Sequence, residues 1–341
     1  MTTRTTRRAA ALFLTLLGPS LAWAADEPRR TVTDLAGRSV SVPQRVGRVA
    51  TLGSVPVINS MLFAAGAGDR IVNGLPDFAA GPRWRYQTVF APDMSGKPRL
   101  QGADRAPLVE KLLEAAPDVV FTMDRPVADQ LAAHKLPVVY LAWRQPEDVK
   151  LAMNLVADIV GAPAAATRYA RFFDDTIQRV AAAVDKAGAA RPKVLYLAAG
   201  SMQQPHLVVE WWIRAAGGIS VTDDGRTTEA RAVSIEQVLA WDPDVLVLNA
   251  PSDLNVIGKD SRFGALKAVK AGRVVLTPMG AHTWANRTVE NPLTVLWAAK
   301  TFHPAVFAAL DLETEVRNFY EQFFGTRLSV EQVREILSGR V

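Results

Sequence analysis

Leu108-Val109-Glu110-Lys111-Leu112-Leu113-Glu114-Ala115-Ala116-Pro117-Asp118-Val119-Val120 and Val233-Ser234-Ile235-Glu236-Gln237-Val238-Leu239-Ala240-Trp241-Asp242-Pro243-Asp244-Val245-Leu246 are two versions of one phrase. Each reads as a short amphipathic helix, a Pro-Asp pair and an apolar run. Proline cannot donate the amide proton that a helix interior uses, so it stops the helix, and the aspartate can cap the turn before the chain enters a buried strand. In both phrases a glutamate, Glu110 or Glu236, lies seven residues before the proline. Taken singly, each glutamate reads as a solvated first-turn residue favoured by the helix dipole. Its recurrence at the same place points to a shared role in two lobes of one grammar.

Outward from the first phrase, apolar runs at 48–52, 70–72, 118–122 and 138–141 predict strands, and amphipathic stretches at 56–65, 108–116, 127–133 and 147–160 predict helices. A hairpin around Gly37 is expected over 31–42. Outward from the second, strands are expected at 193–197, 245–248 and 273–276, with helices at 207–216, 234–240, 262–268 and 292–300 and a helical close over 310–324 and 330–337. Such alternation implies right-handed crossovers and mostly parallel strands. Between the lobes, Tyr169, Phe172, Phe173, Ile177 and Val180 recur at helical spacing, with no Pro or Gly from Ala164 to Ala187. This predicts one long stiff helix as connector.

The chain has 341 residues, 49% of them apolar and 21% charged, and no cysteine. It can bury a substantial core, and disorder, collagen-like repeats and a disulfide scaffold are excluded. Thiolate chemistry and Cys-ligated metal centres are excluded too, while His, carboxylate or chelate-borne metal stays open. Arg4, Arg7 and Arg8, the apolar run Ala9 to Leu17 and Ala22-Trp23-Ala24 read as a secretory signal peptide with its cleavage site. No cysteine follows it, so a lipoprotein anchor is excluded and a soluble periplasmic protein is expected. Loss of those three arginines lowers the formal charge from +5 to about +2. Without a basic stripe, nucleic-acid binding has little support.

The two Glu-x6-Pro-Asp phrases, the long central helix and the entry segment Thr31 to Gly53 resemble the periplasmic substrate-binding proteins of ABC importers for ferric siderophores, haem, cobalamin and related metal chelates. The resemblance covers essentially the whole mature chain. It implies two Rossmann-like three-layer α/β lobes joined by one long rigid helix, with the ligand cleft between them. The corresponding boundaries are a signal peptide at 1–24, an N-terminal lobe at 25–161, the helix at 162–188 and a C-terminal lobe at 189–341. It also implies a monomer that delivers its ligand to an inner-membrane permease dimer with ATPase subunits, with Glu110 and Glu236 meeting permease arginines. A stiff connector implies modest closure on binding.

By position in the family pattern, the N-terminal wall of the cleft would include Ser54, Trp84, Arg85, Tyr86, Arg125, Trp143 and Arg144. The C-terminal wall would include Ser201, Met202, Trp211, Trp212, Asn249, Met279, His282, Trp284 and Arg287. Aromatic rings beside guanidinium groups suit a flat, anionic chelate. The stretch 77–105, rich in aromatic and basic residues among Gly and Pro, reads either as a surface loop or as a ligand-contacting rim. His282 could complete the coordination of a chelated metal, with His206 as second candidate. His134 and His303 read as surface or capping residues near helix ends.

No nucleophile-base pattern, HExxH, Walker loop or dinucleotide fingerprint occurs, so binding without turnover is expected and no intrinsic cofactor is called for. The leading ligand class is a ferric-siderophore-type chelate. Haem or a corrinoid, a nickel or cobalt metallophore, an oxyanion such as molybdate held by backbone N–H groups with Ser54 or Ser201, and another small organic ligand remain as alternatives.

Overall fold

The computed structural model describes residues 28–143 and 146–341. The expected signal peptide and Arg144 lie outside the described residues.

A hairpin opens the chain, β1 (Arg29–Thr33) pairing antiparallel with β2 (Ser39–Pro43). Its turn is closed by the Asp34 carboxylate, which accepts from the amides of Ala36 and Arg38, and Gly37 supplies the positive φ of 78°. These hydrogen bonds hold the Asp34 carboxyl below the usual range against the burial that would raise it.

The N-terminal lobe follows as β3 (Val49–Leu52), α1 (Val55–Ala64), α2 (Arg85–Phe90), α3 (Val109–Ala115), β4 (Val119–Thr122), α4 (Arg125–Ala133), β5 (Val138–Tyr140) and α5 (Asp148–Ile159). Its sheet runs β3-β4-β5, all parallel. The strand expected at 70–72 is reduced to one bridge between Ile71 and Val49, because Gly68–Arg70 coils into a 3-10 turn.

α6 (Pro163–Ala187) leads into the C-terminal lobe: β6 (Lys193–Leu197), β7 (Gln203–Gln204), α7 (Val208–Ala215), β8 (Ile219–Ser220), β9 (Arg231–Ala232), α8 (Ile235–Trp241), β10 (Val245–Leu248), α9 (Pro251–Lys259), α10 (Lys267–Lys270), β11 (Val274–Leu276) and α11 (Asn291–Phe302). The parallel sheet order is β11-β10-β6-β8. The helix expected at 262–268 is split into a 3-10 turn and α10 by the extended Leu266. α12 (Leu312–Phe324) and α13 (Val330–Ser338) close the chain.

The repeated phrase is repeated in atomic detail. α3 and α8 both end on a non-glycine residue in the left-handed region, Ala116 at φ 41° and Asp242 at φ 39°. In both lobes the aspartate after the proline then ties off the neighbouring strand. Asp118 accepts from the amides of Gly47 and Arg48 at 2.7 and 2.8 Å, and Asp244 from that of Lys193 at 2.9 Å. Glu110 and Glu236 occupy the second position of their helices and are exposed.

α6 has 25 residues, about 37 Å at 1.5 Å per residue. Pro163 starts it, and Gly188 at φ 57° ends it. Its buried stripe of Tyr169, Phe173, Val180 and Val184 belongs to a core cluster continuous between the lobes. Phe173 stacks on Trp211 of the C-terminal lobe at 5.6 Å. A second brace was not foreseen: Phe90 of α2 stacks on Tyr320 of α12 at 4.8 Å, and Phe63 of α1 meets Phe324 edge-on at 5.5 Å.

Candidate functional site

The carboxyl ends of both sheets face one another across a cleft, where open α/β sheets bind ligands because the loops there are free of ladder bonds. The cavity between the lobes has a volume of about 320 Å³, at the small end of the roughly 300–1,000 Å³ usual for small-molecule sites. Arg83, Arg105 and Arg287 line it, and among the described residues no carboxylate does.

On the N-terminal wall, Gly53 (φ 73°) turns the chain out of β3 and gives its amide to Gln101 Oε1 at 2.7 Å. Ser54 stands at the start of α1 without a side-chain capping bond, so its hydroxyl lines the cavity uncommitted. The partial positive charge of the α1 N-terminus adds to the field there. The 77–105 stretch forms a rim of short helical turns and α2. From it, Arg83 sends Nη2 to the carbonyl of Asn249 at 2.7 Å, while its buried Nη1 has no partner. Burial lowers the Arg83 pKa from its usual value, partly offset by Asp253. Trp84 meets His282 edge-on at 5.1 Å and Phe78 at 6.4 Å, and Arg105 lies 4.8 Å over the Phe78 ring.

On the C-terminal wall, a loop carries Met279, His282, Thr283, Trp284 and Arg287. It is anchored by the fully buried Glu290, whose carboxylate accepts from the amides of Ala281 (2.9 Å) and His282 (3.0 Å), the Thr288 hydroxyl (2.8 Å) and the Tyr320 hydroxyl. Burial raises the Glu290 pKa and these donors oppose the rise. The half-buried His282 is pushed down to about 3 by desolvation and by the charges of His206, Arg287 and Arg83. Arg287 donates to Glu229 at 3.0 Å, and His206 stands 3.7 Å from the same carboxylate. These neighbours hold Glu229 down to about 2 against its partial burial. Asn249 accepts from the buried Tyr196 hydroxyl at 2.6 Å.

Of the residues expected in the cleft, Ser54, Trp84, Asn249, His282 and Arg287 line the cavity. Others are placed elsewhere. Arg85 and Tyr86 pair with Glu335 of α13. Arg125 pairs with Asp129 in its own helix. The Trp143 ring is buried, as are Met279, which accepts from Thr283 through its sulfur, and Trp284. Ser201 turns its hydroxyl back to the Ala198 carbonyl at 3.4 Å, and Met202 lies in the left-handed region at φ 48°. Trp211 packs on α6, and Trp212 sits in the core with its indole N–H on the Ala285 carbonyl. Aromatic and apolar side chains that read as binding surface were drawn into the core by their area.

Sequence reasoning did not single out Phe78, Arg83, Arg105 and Asn286, although the basic-aromatic composition of 77–105 was the available signal for the first three. His206 does line the cavity. His303 is the C-cap residue of α11, as the capping reading expected, but it is buried and its ring bonds the Gly217 carbonyl at 3.2 Å. Among the described residues no group of three or more His, Asp or Glu could hold a metal ion, and no helix is long and apolar enough to cross a membrane.

The chain is similar to known proteins over most of its length. It is 23% identical to the molybdate-binding protein MolA of Haemophilus influenzae over 87% of this chain and 91% of that one. A crystal structure of a periplasmic solute binding protein from Veillonella parvula superposes with a TM-score of 0.79 at 25% identity, covering 91% of this chain and 97% of that one. MolA bound to molybdate superposes at 0.77 with 21% identity, covering 88% and 99%. The family model described as periplasmic binding protein matches residues 61–280.

Proposed function

We propose, for a chain that belongs to the periplasmic binding protein family and so serves as the non-catalytic, periplasmic solute-binding component of an ABC importer, that its cargo is a small anion of the oxyanion class. The carrying observation is three guanidinium groups lining one cavity, with no carboxylate among its described lining residues and only Arg287 paired, to Glu229 outside that lining. Arginine presents fixed, always-charged donors that suit tetrahedral and carboxylate oxygens. The uncommitted Ser54 hydroxyl and the α1 N-terminus add neutral donors. The likeness to a molybdate-binding protein supports this alternative over the ferric-siderophore expectation.

A second reading has its own support. The cavity is larger than a four-oxygen anion needs, and Trp84 and Phe78 offer aromatic faces, which favours an anionic metal chelate with His282 beside the metal. Titration calorimetry of the purified mature protein with sodium molybdate, tungstate and sulfate, beside ferric, haem and nickel chelates, separates the two. One-to-one binding of an oxyanion, weakened at least tenfold in Arg83→Ala, is the expected result. Binding of a chelate alone would overturn the oxyanion reading.

Glu110 and Glu236, exposed at equivalent positions of α3 and α8, are proposed to meet the permease. Rim charges set orientation more than affinity. Reversal of either to lysine should reduce uptake in cells and leave ligand affinity within twofold.

A further inference from the structure

Each lobe sends one arginine across the cleft to a backbone carbonyl of the other. Arg83, from the N-terminal rim, donates Nη2 to the carbonyl of Asn249, just past the end of β10, at 2.7 Å. Arg287, from the C-terminal loop, donates Nη1 to the carbonyl of Trp143, beyond β5, at 3.2 Å. Both acceptors lie where a parallel ladder has run out, and both arginines line the cavity. The Nη1 of Arg83 is buried and unpartnered beside them. A buried, unpaired guanidinium N–H is a costly group to leave unsatisfied, and an anion entering the cavity would satisfy it without displacing the Asn249 contact.

We infer that Arg83 and Arg287 form a reciprocal latch that holds the lobes together before ligand arrives, and that an anion binding to the spare Arg83 donor strengthens it. Other contacts also join the lobes. Gln87 Nε2 reaches the Ala281 carbonyl at 2.6 Å, and Tyr86 reaches Glu335 at 2.9 Å, both from buried side chains. Among these inter-lobe contacts the two arginines are the ones whose donors line the cavity, where a ligand can act on them. The anion half of the inference rests on the anionic-solute reading above; the latch half does not.

The chain has no cysteine, so Gln130→Cys on α4 and Ser252→Cys on α9, both exposed, take spin labels cleanly. Lysine keeps the charge at 83 and 287 but has a single terminal nitrogen, so it lacks the planar guanidinium whose one nitrogen holds the Asn249 carbonyl while the other stays spare in Arg83. In the ligand-free protein, double electron–electron resonance should show the Arg83→Lys/Arg287→Lys form shifted to longer distances and broadened. The control Arg125→Lys, whose parent guanidinium pairs with Asp129 within its own helix, should match the unmodified distribution. An unchanged distribution in the double variant overturns the latch. Should the double variant unfold by circular dichroism, Arg83→Lys alone decides the question by the same readout. Sodium molybdate should narrow the parent distribution and leave that of the double variant broad; calorimetric binding without narrowing overturns the coupling. If molybdate neither binds nor narrows, the oxyanion reading falls while the ligand-free distances still judge the latch.

Discussion

The two walls of the cleft are built to different standards of rigidity. The C-terminal loop closes on Glu290, a buried carboxylate with four donors, two of them backbone amides of the loop itself. The N-terminal rim closes on Phe78, which is 42% exposed, and on Arg105, a non-glycine residue at φ 67° over that ring. A satisfied buried polar network admits one geometry. An exposed cation-ring contact contributes only about 0.5–1 kcal/mol and admits several. One wall is therefore a template and the other an adaptable cover, which fits a carrier that must both recognise a solute and release it.

The comparison breaks first at Glu290. Glu290→Ala leaves the amides of Ala281 and His282 and the Tyr320 hydroxyl buried without an acceptor, so a loss of about 3 kcal/mol or more is expected. Urea denaturation measures it, and ligand binding should vanish with the loop geometry. A loss under about 1 kcal/mol would mean that the loop is held by packing and not by this carboxylate.

Gly280→Ala comes next. A Cβ at this position would run into both the Glu290 carboxylate and the Tyr320 hydroxyl. Overpacking of this kind costs about 1–3 kcal/mol, to be read as a lower thermal midpoint.

His282→Gln sharpens the comparison through pH. The His282 pKa is lower folded, about 3, than its ordinary value of 6.5, so between these values the unfolded chain binds more protons. Stability is then complete above about pH 6.5 and declines as pH falls toward 3. The glutamine variant should show a flatter thermal midpoint between pH 7.5 and 4.5. His303, also lowered by burial, leaves a residual slope in the same direction. An unchanged slope in the variant would remove His282 from the rigid wall's electrostatics.

The smallest effect on stability is expected at the cover. Phe78→Ala should change unfolding free energy by less than about 1 kcal/mol while weakening anion binding a fewfold. Destabilisation equal to that of Gly280→Ala would make the two walls equivalent and end the distinction.

The repeated phrases, the central helix and the alternation of strand and helix were legible because each is a local pattern: proline stops, apolar period and run length act within a dozen residues. Trp211 and Trp212 show where that legibility ended. An aromatic ring carries the same local signal whether it faces a ligand or a neighbouring helix, and here α6 and Ala285 claim the two rings. Glu290 carried no signal either, because its partners Tyr320 and Ala281 lie 30 and 9 residues away.

By itself, then, the amino-acid sequence determined two α/β lobes of one grammar, a stiff connector, an exposed glutamate on each lobe and the stretch from which the rim is made. Tertiary structure alone decided which arginines face the cavity, that Arg83 and Arg287 cross it, and that α12 braces the lobes a second time. The physical reason is range. Secondary structure follows from neighbours along the chain, whereas a binding site is a meeting of loops from distant strands, where desolvation and long-range packing choose which side chains stay in the open.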